Sequence, residues 1–400
     1  MRSTWNFYTA GQLTFGPGSV LQLGALATRR ELSRVFVVTD RTLVQLGITK
    51  RVVEPLRAAG ISVEIFDGGE AEPSIAVAVA AIDQARPFRP NAILGLGGGS
   101  NMDLSKITAT VLSHGGGPSD YFGFDRVPGP VMPLICVPTT AGTGSEVSHA
   151  AVLTDSENQM KVSTLSNWLR PTLAIVDPEL TYSCPKQVTA DSGIDALTHA
   201  IEGYTATDYR ELVTPPGEAC AYEGSFLLGD VIAEKAIRMI GANLVQAVNE
   251  PDNRQARDNM ALASTLAGIA FSNCGVALVH ALEYPMGGAL HCSHGAGNGL
   301  LLPFVMRFNL PERKVKFAKI AELLGASVCS DVDTMARRAV ESVEQLKRDI
   351  GIPERIRDIG GNESHLPKFA EKAFAIKRLL WVNPRKASLE DLLGILEAAL

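Results

Sequence analysis

Residues 91–112 read NAILGLGGGSNMDLSKITATVL. The apolar run at 92–96 has the length of a buried strand, three consecutive glycines break it, and the apolar spacing that follows is helical. A strand, a glycine turn and a helix in that order present backbone N–H groups and the positive end of a helix dipole to an anion. Glycine suits the turn because a side chain would hold phosphates away from the backbone. The run is not G-x-G-x-x-G, since Asn101 and Met102 are followed by Asp103, so an ordinary tight turn stays open as an alternative. A second turn, PTTAGTGSE at 138–146, also leaves a strand and adds hydroxyls and backbone donors. Two such turns at strand ends of one sheet favour a phosphate-bearing cofactor.

Around this stretch, strands alternate with helices. RVFVVTD at 34–40 and the segments 63–66, 92–96, 133–140, 147–155, 160–166 and 173–178 read as strands. Helical spacing fills 43–59 and 75–84, and residues 5–15 alternate as a strand or hairpin. This is the pattern of βαβ units with a parallel sheet. Asp40 closes the strand at 34–40, where a carboxylate can accept from adenosine-ribose hydroxyls and repel a 2′-phosphate, or can cap the next helix. From residue 186 onward the spacing is helical almost to the end. The chain therefore divides into an α/β nucleotide-binding domain over residues 1–185 and an all-helical domain over residues 186–400.

The helical half opens with VTADSGIDALTHAIEGY at 188–204, with Thr189 as a plausible N-cap. Asp195 and His199 stand four residues apart, hence on one helix face. Downstream, His280, His291 and His294 lie in VHALEYPMGGALHCSHGAGNGLLLP. Four of the seven histidines thus fall in two short apolar, glycine-rich segments. A carboxylate and imidazoles grouped in this way suit a divalent metal, with nitrogen donors serving Fe²⁺ and Zn²⁺ alike.

Composition narrows the class. The chain is 46% hydrophobic and 20% charged with net charge −6, which leaves no electrostatic footprint for nucleic acid or an anionic membrane. No secretory leader or membrane span is read, and six cysteines without a C-x-x-C pair fit reduced thiols in a cytoplasmic protein.

In order, GGGSNMDLSK, PTTAGTGSEV, DSGIDALTHAIEGY, HALEYPMGGALHCSHGAGNGLLLP and the tail WVNPRKASLEDLLGILEAAL resemble the iron-containing (group III) alcohol dehydrogenase family over essentially the whole length. The resemblance implies a dinucleotide-binding α/β domain, an all-helical metal-binding domain and an active site in the cleft between them. It implies metal ligation by Asp195, His199, His280 and His294, which then form the catalytic centre. It implies NAD contacts at Asp40, Gly97, Gly98, Gly99, Ser100, Asp103, Thr139, Thr140, Thr143, Ser145 and Lys161. A homodimer acting on a small alcohol or aldehyde is the accompanying expectation. Tyr284, Glu72-Pro73 and the loop at 209–225 resemble features of hydroxyacid-oxoacid transhydrogenases, so a hydroxy-acid substrate is the alternative. Arg210 would pair with its carboxylate, unless Asp208 and Glu211 neutralise it at the surface.

Overall fold

The computed structural model describes residues 2–155, 160–213 and 220–400. The chain forms two compact units, Tyr8–Ser183 and, together, residues 2–7 with Cys184–Leu400. The expectation of one block over residues 1–185 differs from this in residues 2–7 and in Cys184 and Pro185. Trp5 stacks on Phe226 with ring centroids 4.4 Å apart, and the Asn6 amide donates to Glu223 at 3.0 Å. These contacts tie the N-terminal segment to the helical unit.

In the first unit, strands β1 (Leu13–Phe15), β2 (Arg34–Val38), β3 (Ser62–Phe66) and β4 (Ala92–Gly97) are joined by helices α1 (Leu23–Thr28), α2 (Arg41–Gln45), α3 (Ile48–Ala58) and α4 (Ile75–Phe88). Helix α5 (Gly99–His114) then leads to β5 (Gly123–Phe124), β6 (Leu134–Pro138), β7 (Ala150–Asp155), β8 (Met160–Leu165) and β9 (Leu173–Val176). Among the described residues, six strands make a sheet in the order β1-β9-β6-β4-β2-β3, every pairing parallel. Strand alternation divides its core. Val35, Val37, Leu94 and Leu96 pack on one face with Leu23, Val52 and Leu56, while Phe36, Val38 and Ile93 pack on the other with Ile82, Met102 and Ile107.

Several sequence expectations are corrected. Within 5–15 only Leu13–Phe15 is a strand. The expected helix at 43–59 is two helices, because Gly47 turns the chain at φ 74°. Strands β7 and β8 pair antiparallel and, with β5, leave the parallel sheet for a small sheet of their own.

The second unit is helical. It runs α6 (Lys186–Thr205), α7 (Leu227–Asn249), α8 (Arg254–Cys274), α9 (Leu278–Leu290) and α10 (His294–Asn309). It continues with α11 (Lys314–Leu323), α12 (Val332–Ile350), α13 (Leu366–Ala375), α14 (Lys377–Val382) and α15 (Leu389–Ala399). No single helix among the described residues is long and apolar enough to cross a membrane. Thr189 is not the N-cap of α6. The helix starts one residue after Pro185, whose fixed φ suits a helix entry, and the Thr189 hydroxyl donates back to the Pro185 carbonyl at 3.1 Å. The expected loop at 209–225 lies partly outside the described residues.

One buried carboxylate ties the start of the first unit to its last strand. Asp177, fully buried, accepts from the N–H groups of Gly18 at 3.0 Å, Val20 at 3.2 Å and Glu179 at 3.1 Å. Removing it would leave buried donors without acceptors. Asp177→Ala should lower unfolding free energy by about 2–3 kcal/mol in denaturant melts, with Asp177→Asn costing less because its amide oxygen still accepts.

Candidate functional site

The parallel sheet places the first set of residues. From β2 the chain moves outward to β3, then returns to lay β4 on the other side of β2. Such a reversal of strand order opens a crevice at the carboxyl ends of the two central strands. The residues there are Asp40, after β2, and Gly97, Gly98, Gly99 and Ser100, after β4. The Asn101 amide joins the two turns, donating to Asp40 Oδ2 at 2.8 Å and to the Leu96 carbonyl at 3.0 Å.

Glycine is required at this turn for two separate reasons. Gly97 has φ 142°, a backbone state that side chains rarely adopt. A Cβ on Gly99 would lie 2.9 Å from the Thr143 methyl, so the first turn of α5 fits closely against the second glycine turn. Gly98 caps α5 without any side-chain hydrogen bond, which leaves the helix's first N–H groups for an anion. Thr140 and Thr143 are half-buried beside the turn, and Thr139 is buried.

Other expected cofactor residues have partners within the unit. The Asp40 carboxylate accepts from Leu43 N at 2.9 Å, so it is also the cap of α2. Ser100 Oγ accepts from Glu72 N at 3.3 Å, and Lys161 Nζ is 2.7 Å from Glu72 Oε1. Asp103 accepts from the Ser145 hydroxyl at 2.6 Å and from Val152 N at 2.9 Å. Lys106, fully buried, donates to Ser145, Ser148 and the Ala150 carbonyl at 2.7, 3.2 and 2.7 Å. Burial pulls the Lys106 ammonium below its ordinary value and raises the Asp103 carboxyl, each opposed by the other's charge. Asp103 and Ser145 thus belong to a buried network that locks α5 onto the second turn.

The helical unit assembles the second set. Asp195 projects from α6, His280 from α9 and His294 from the first residue of α10. One oxygen of Asp195 and one nitrogen of each histidine all lie within 4.8 Å of one another. Glycine again permits the approach. A Cβ on Gly295 would stand 2.0 Å from the Asp191 carbonyl, and one on Gly299 would stand 2.7 Å from the Ile194 side chain. Helix α10 therefore lies against α6 more closely than side chains would allow.

The histidines are braced crosswise. Glu202 of α6 meets His280 Nδ1 at 2.6 Å, and Glu283 of α9 meets His294 Nδ1 at 2.5 Å. A carboxylate only accepts, so Nδ1 carries the proton and Nε2 presents its lone pair. Glu202 also accepts from Ala277 N at 2.9 Å and Val279 N at 2.7 Å, capping the start of α9. The Asn298 amide nitrogen reaches Asp195 Oδ1 at 2.8 Å, His280 Nε2 at 3.2 Å and His294 Nε2 at 3.1 Å. Two amide hydrogens cannot serve three acceptors. That surplus of lone pairs at one point, with both imidazoles oriented, fits a divalent cation. Burial raises the Asp195 carboxyl, but the imidazoles of His199, His294 and His280 and the Asn298 amide outweigh it and hold it below the usual carboxylate value.

His199 sits beside this group rather than within it. Its Nδ1 is 3.9 Å from Asp195 Oδ2, and its ring stacks on Phe271 and His280 at 4.2 and 4.9 Å between centroids. His291 is exposed and ends α9 with φ 55°. The sequence reading missed Glu202, Glu283 and Asn298. Each stands three or four residues after a site histidine, on the same helix face, so the spacing was available.

Two family descriptions match the chain: iron-containing alcohol dehydrogenase over residues 10–178, and Fe-containing alcohol dehydrogenase family, C-terminal, over residues 189–400. The NAD-dependent methanol dehydrogenase of Bacillus methanolicus is 34% identical over 396 residues, covering 99% of this chain and 100% of that protein. A crystal structure of 1,3-propanediol oxidoreductase superposes with TM-score 0.92 at 34% identity, covering 100% of both chains. That of sulfoacetaldehyde reductase from Bifidobacterium kashiwanohense in complex with NAD⁺ superposes with TM-score 0.85 at 28% identity, covering 100% of this chain and 99% of that one.

The close approach of α10 is open to test. Gly295→Ala should push α10 from α6, costing about 1–3 kcal/mol of stability and lowering metal uptake. Gly288→Ala, whose Cβ meets nothing within 4 Å, is the control and should be neutral or stabilising. Equal melting curves and metal content for the two variants would contradict the packing argument.

Proposed function

This chain belongs to the iron-containing alcohol dehydrogenase family, and on that premise we propose how its residues divide the work. It is a NAD- and metal-dependent oxidoreductase that interconverts an alcohol with an aldehyde or ketone. In the proposed assignment Asp195, His280 and His294 hold the metal, with His199 as fourth ligand. The carrying observation is the convergence of Asp195 Oδ1, His280 Nε2 and His294 Nε2 on one point, the Asn298 amide nitrogen. When bound, Fe²⁺ supplies a Lewis acid for the substrate oxygen and NAD a hydride acceptor.

The chain's own part is positioning. Glu202 and Glu283 keep the Nδ1 protons in place and the Nε2 lone pairs aimed inward. Asn298 orients Asp195. The N–H groups at the start of α5, with Gly97, Gly98 and Gly99, take the pyrophosphate, supported by Thr139, Thr140 and Thr143. Ser100 and Lys161 lie around Glu72 at the same end of the unit, and Asp103 and Ser145 support the turns from below. Asp40 takes the ribose hydroxyls in addition to capping α2.

A small neutral alcohol, or its aldehyde, is the proposed substrate. The 1,3-propanediol and methanol enzymes among the relatives accord with that class. Arg210, the group that would have recognised an acid, is exposed, 3.4 Å from Asp208 and stacked on Tyr209. The hydroxy-acid alternative is therefore not favoured. A cytoplasmic homodimer, with domains at 1–185 and 186–400, is the remaining expectation; the six free cysteines accord with a reducing compartment.

Reconstitution with Fe²⁺ or Zn²⁺, followed by NAD-linked assays across primary alcohols, diols and hydroxy acids, tests the reaction. Single-substrate NADH release on alcohols is expected; turnover only with a hydroxy acid and an oxo acid together would sink the reading. Glu202→Gln and Glu283→Gln should each weaken metal binding by about 10–100-fold in chelator competition while the chain stays folded. Metal affinity equal to the parent's would show that the braces do not orient the ligands.

Asp40 yields a separate test. Asp40→Gly should raise the NADP-to-NAD ratio of kcat/KM by about tenfold or more, because a repulsive carboxylate is gone. The lost cap should cost only a few tenths of a kcal/mol. A parent enzyme that already prefers NADP would overturn the assignment.

A further inference from the structure

A polar cavity lies in the helical unit. It encloses about 310 Å³ between the distal half of α10, the last turns of α12 and the segment that follows. Four cations line it, Arg307, Lys347, Arg348 and Arg355, against two carboxylates, Glu344 and Glu354. Glu344 is already engaged, pairing with Arg307 at 2.5 Å.

Phe304 holds three of the cations together. Arg307 Cζ, Arg355 Cζ and Lys347 Nζ lie 5.7, 5.6 and 5.9 Å from its ring centroid. The π face offsets part of their mutual repulsion. It cannot accept the directed hydrogen bonds that guanidinium and ammonium groups form with oxygen.

Lys347 is the decisive side chain. It is only 3% exposed, although a lysine is almost never fully buried without a partner. Its ammonium donates to the Leu300 carbonyl at 3.0 Å, and its other two hydrogens have no hydrogen-bond acceptor among the described residues. Burial is the main cause that pulls it down to about 8; Glu344 and Glu354 hold it up, while Arg355 and Arg307 push it further down. An oxyanion in the cavity would satisfy the spare donors and reverse that balance of charge.

We infer that this cavity is a binding site for a small oxyanion-bearing metabolite, held by Lys347, Arg307 and Arg355 over the Phe304 ring. Lys347 supplies a buried point charge; Arg307 and Arg355, whose Nη2 and Nη1 already donate to Glu344 and to the Ala398 carbonyl, offer their remaining N–H groups to phosphate or carboxylate oxygens. The cavity is at the small end of ligand sites, which excludes a whole dinucleotide. The inference is independent of the assignments made for the metal and for NAD.

Calorimetric titration of the full-length, metal-loaded enzyme tests it. NAD is kept saturating so that the turn at Gly97, Gly98 and Gly99 is filled, and ionic strength is held constant. Inorganic phosphate and succinate serve as probes. One saturable site is expected, weakened at least tenfold in Lys347→Met and in Arg355→Gln, and unchanged in Arg337→Ala, which alters an exposed α12 arginine outside the cavity. Arg355→Gln alters an exposed side chain, so it decides the matter even where Lys347→Met fails to fold. Response to phosphate alone assigns a phosphorylated ligand, response to succinate alone a carboxylate, and response to both the shared oxyanion chemistry. Absence of saturable binding of either probe at millimolar concentration, or equal binding by parent and Arg355→Gln, overturns the inference.

Discussion

The convergence of Asp195, His280 and His294 depends on how closely α10 lies against α6. Gly295 faces the Asp191 carbonyl, and Gly299 faces Ile194, at separations that no Cβ would permit. His294 is the residue before Gly295, and Asn298 is one turn beyond His294, so both inherit the approach. Asp195 is one turn beyond Asp191 on the opposing helix. Two helix faces thus bring a carboxylate, an imidazole and an amide together with no loop to position them. Side chains mounted on packed helices are held more tightly than side chains on loops, which suits a site whose ligand atoms must meet at one point.

Closeness alone would be unfavourable, because it buries charge. Asp195, Glu202 and Glu283 are at most 4% exposed, and an isolated buried carboxylate costs several kcal/mol. Each is offset by directed donors. Glu202 receives two backbone N–H groups at the start of α9, where the helix dipole also favours an anion, and one imidazole besides. The α/β unit applies the same rule with opposite partners, since Lys106 is buried among two hydroxyls and a carbonyl with Asp103 3.7 Å away. In both units a buried ionic group fixes the segment that bears the site.

Much of this was legible in the sequence, and the losses have physical causes. Asp195 and His199 stand out in the sequence by their four-residue spacing and His280, His291 and His294 by their clustering, and of these Asp195, His280 and His294 come together. The crosswise bracing was not legible, since Glu202 follows His199 in sequence yet holds His280, and Glu283 follows His280 yet holds His294. Pairing between helices is a tertiary fact that no single-helix spacing encodes. The family resemblance implies Asp103 and Ser145 as cofactor contacts, and the sequence does not reveal their partners within the unit. Their side chains bond to each other across 42 residues, to Val152 across 49 and to Lys106 across 39. Asp40 was ambiguous between helix cap and ribose acceptor. With two oxygens it already meets Leu43 and Asn101, and the remaining lone pairs leave the second role compatible with the first.

The glycine turn carries a further distinction that its letters conceal. Gly97 is demanded by conformation, because φ 142° penalises any side chain whatever the free space. Gly95 and Gly99 are demanded by contact. A Cβ on Gly95 would lie 2.4 Å from Ser105 Oγ and 2.9 Å from Met102 Cα, so β4 and α5 touch backbone to side chain there. Gly98 has neither demand, since a Cβ there would meet Thr140 Oγ1 only at 3.7 Å, an ordinary contact, and its φ of −72° is open to any residue. The single position in the turn that the fold leaves unconstrained is thus the N-cap of α5, set between Gly97, which conformation demands, and Gly99, which contact demands.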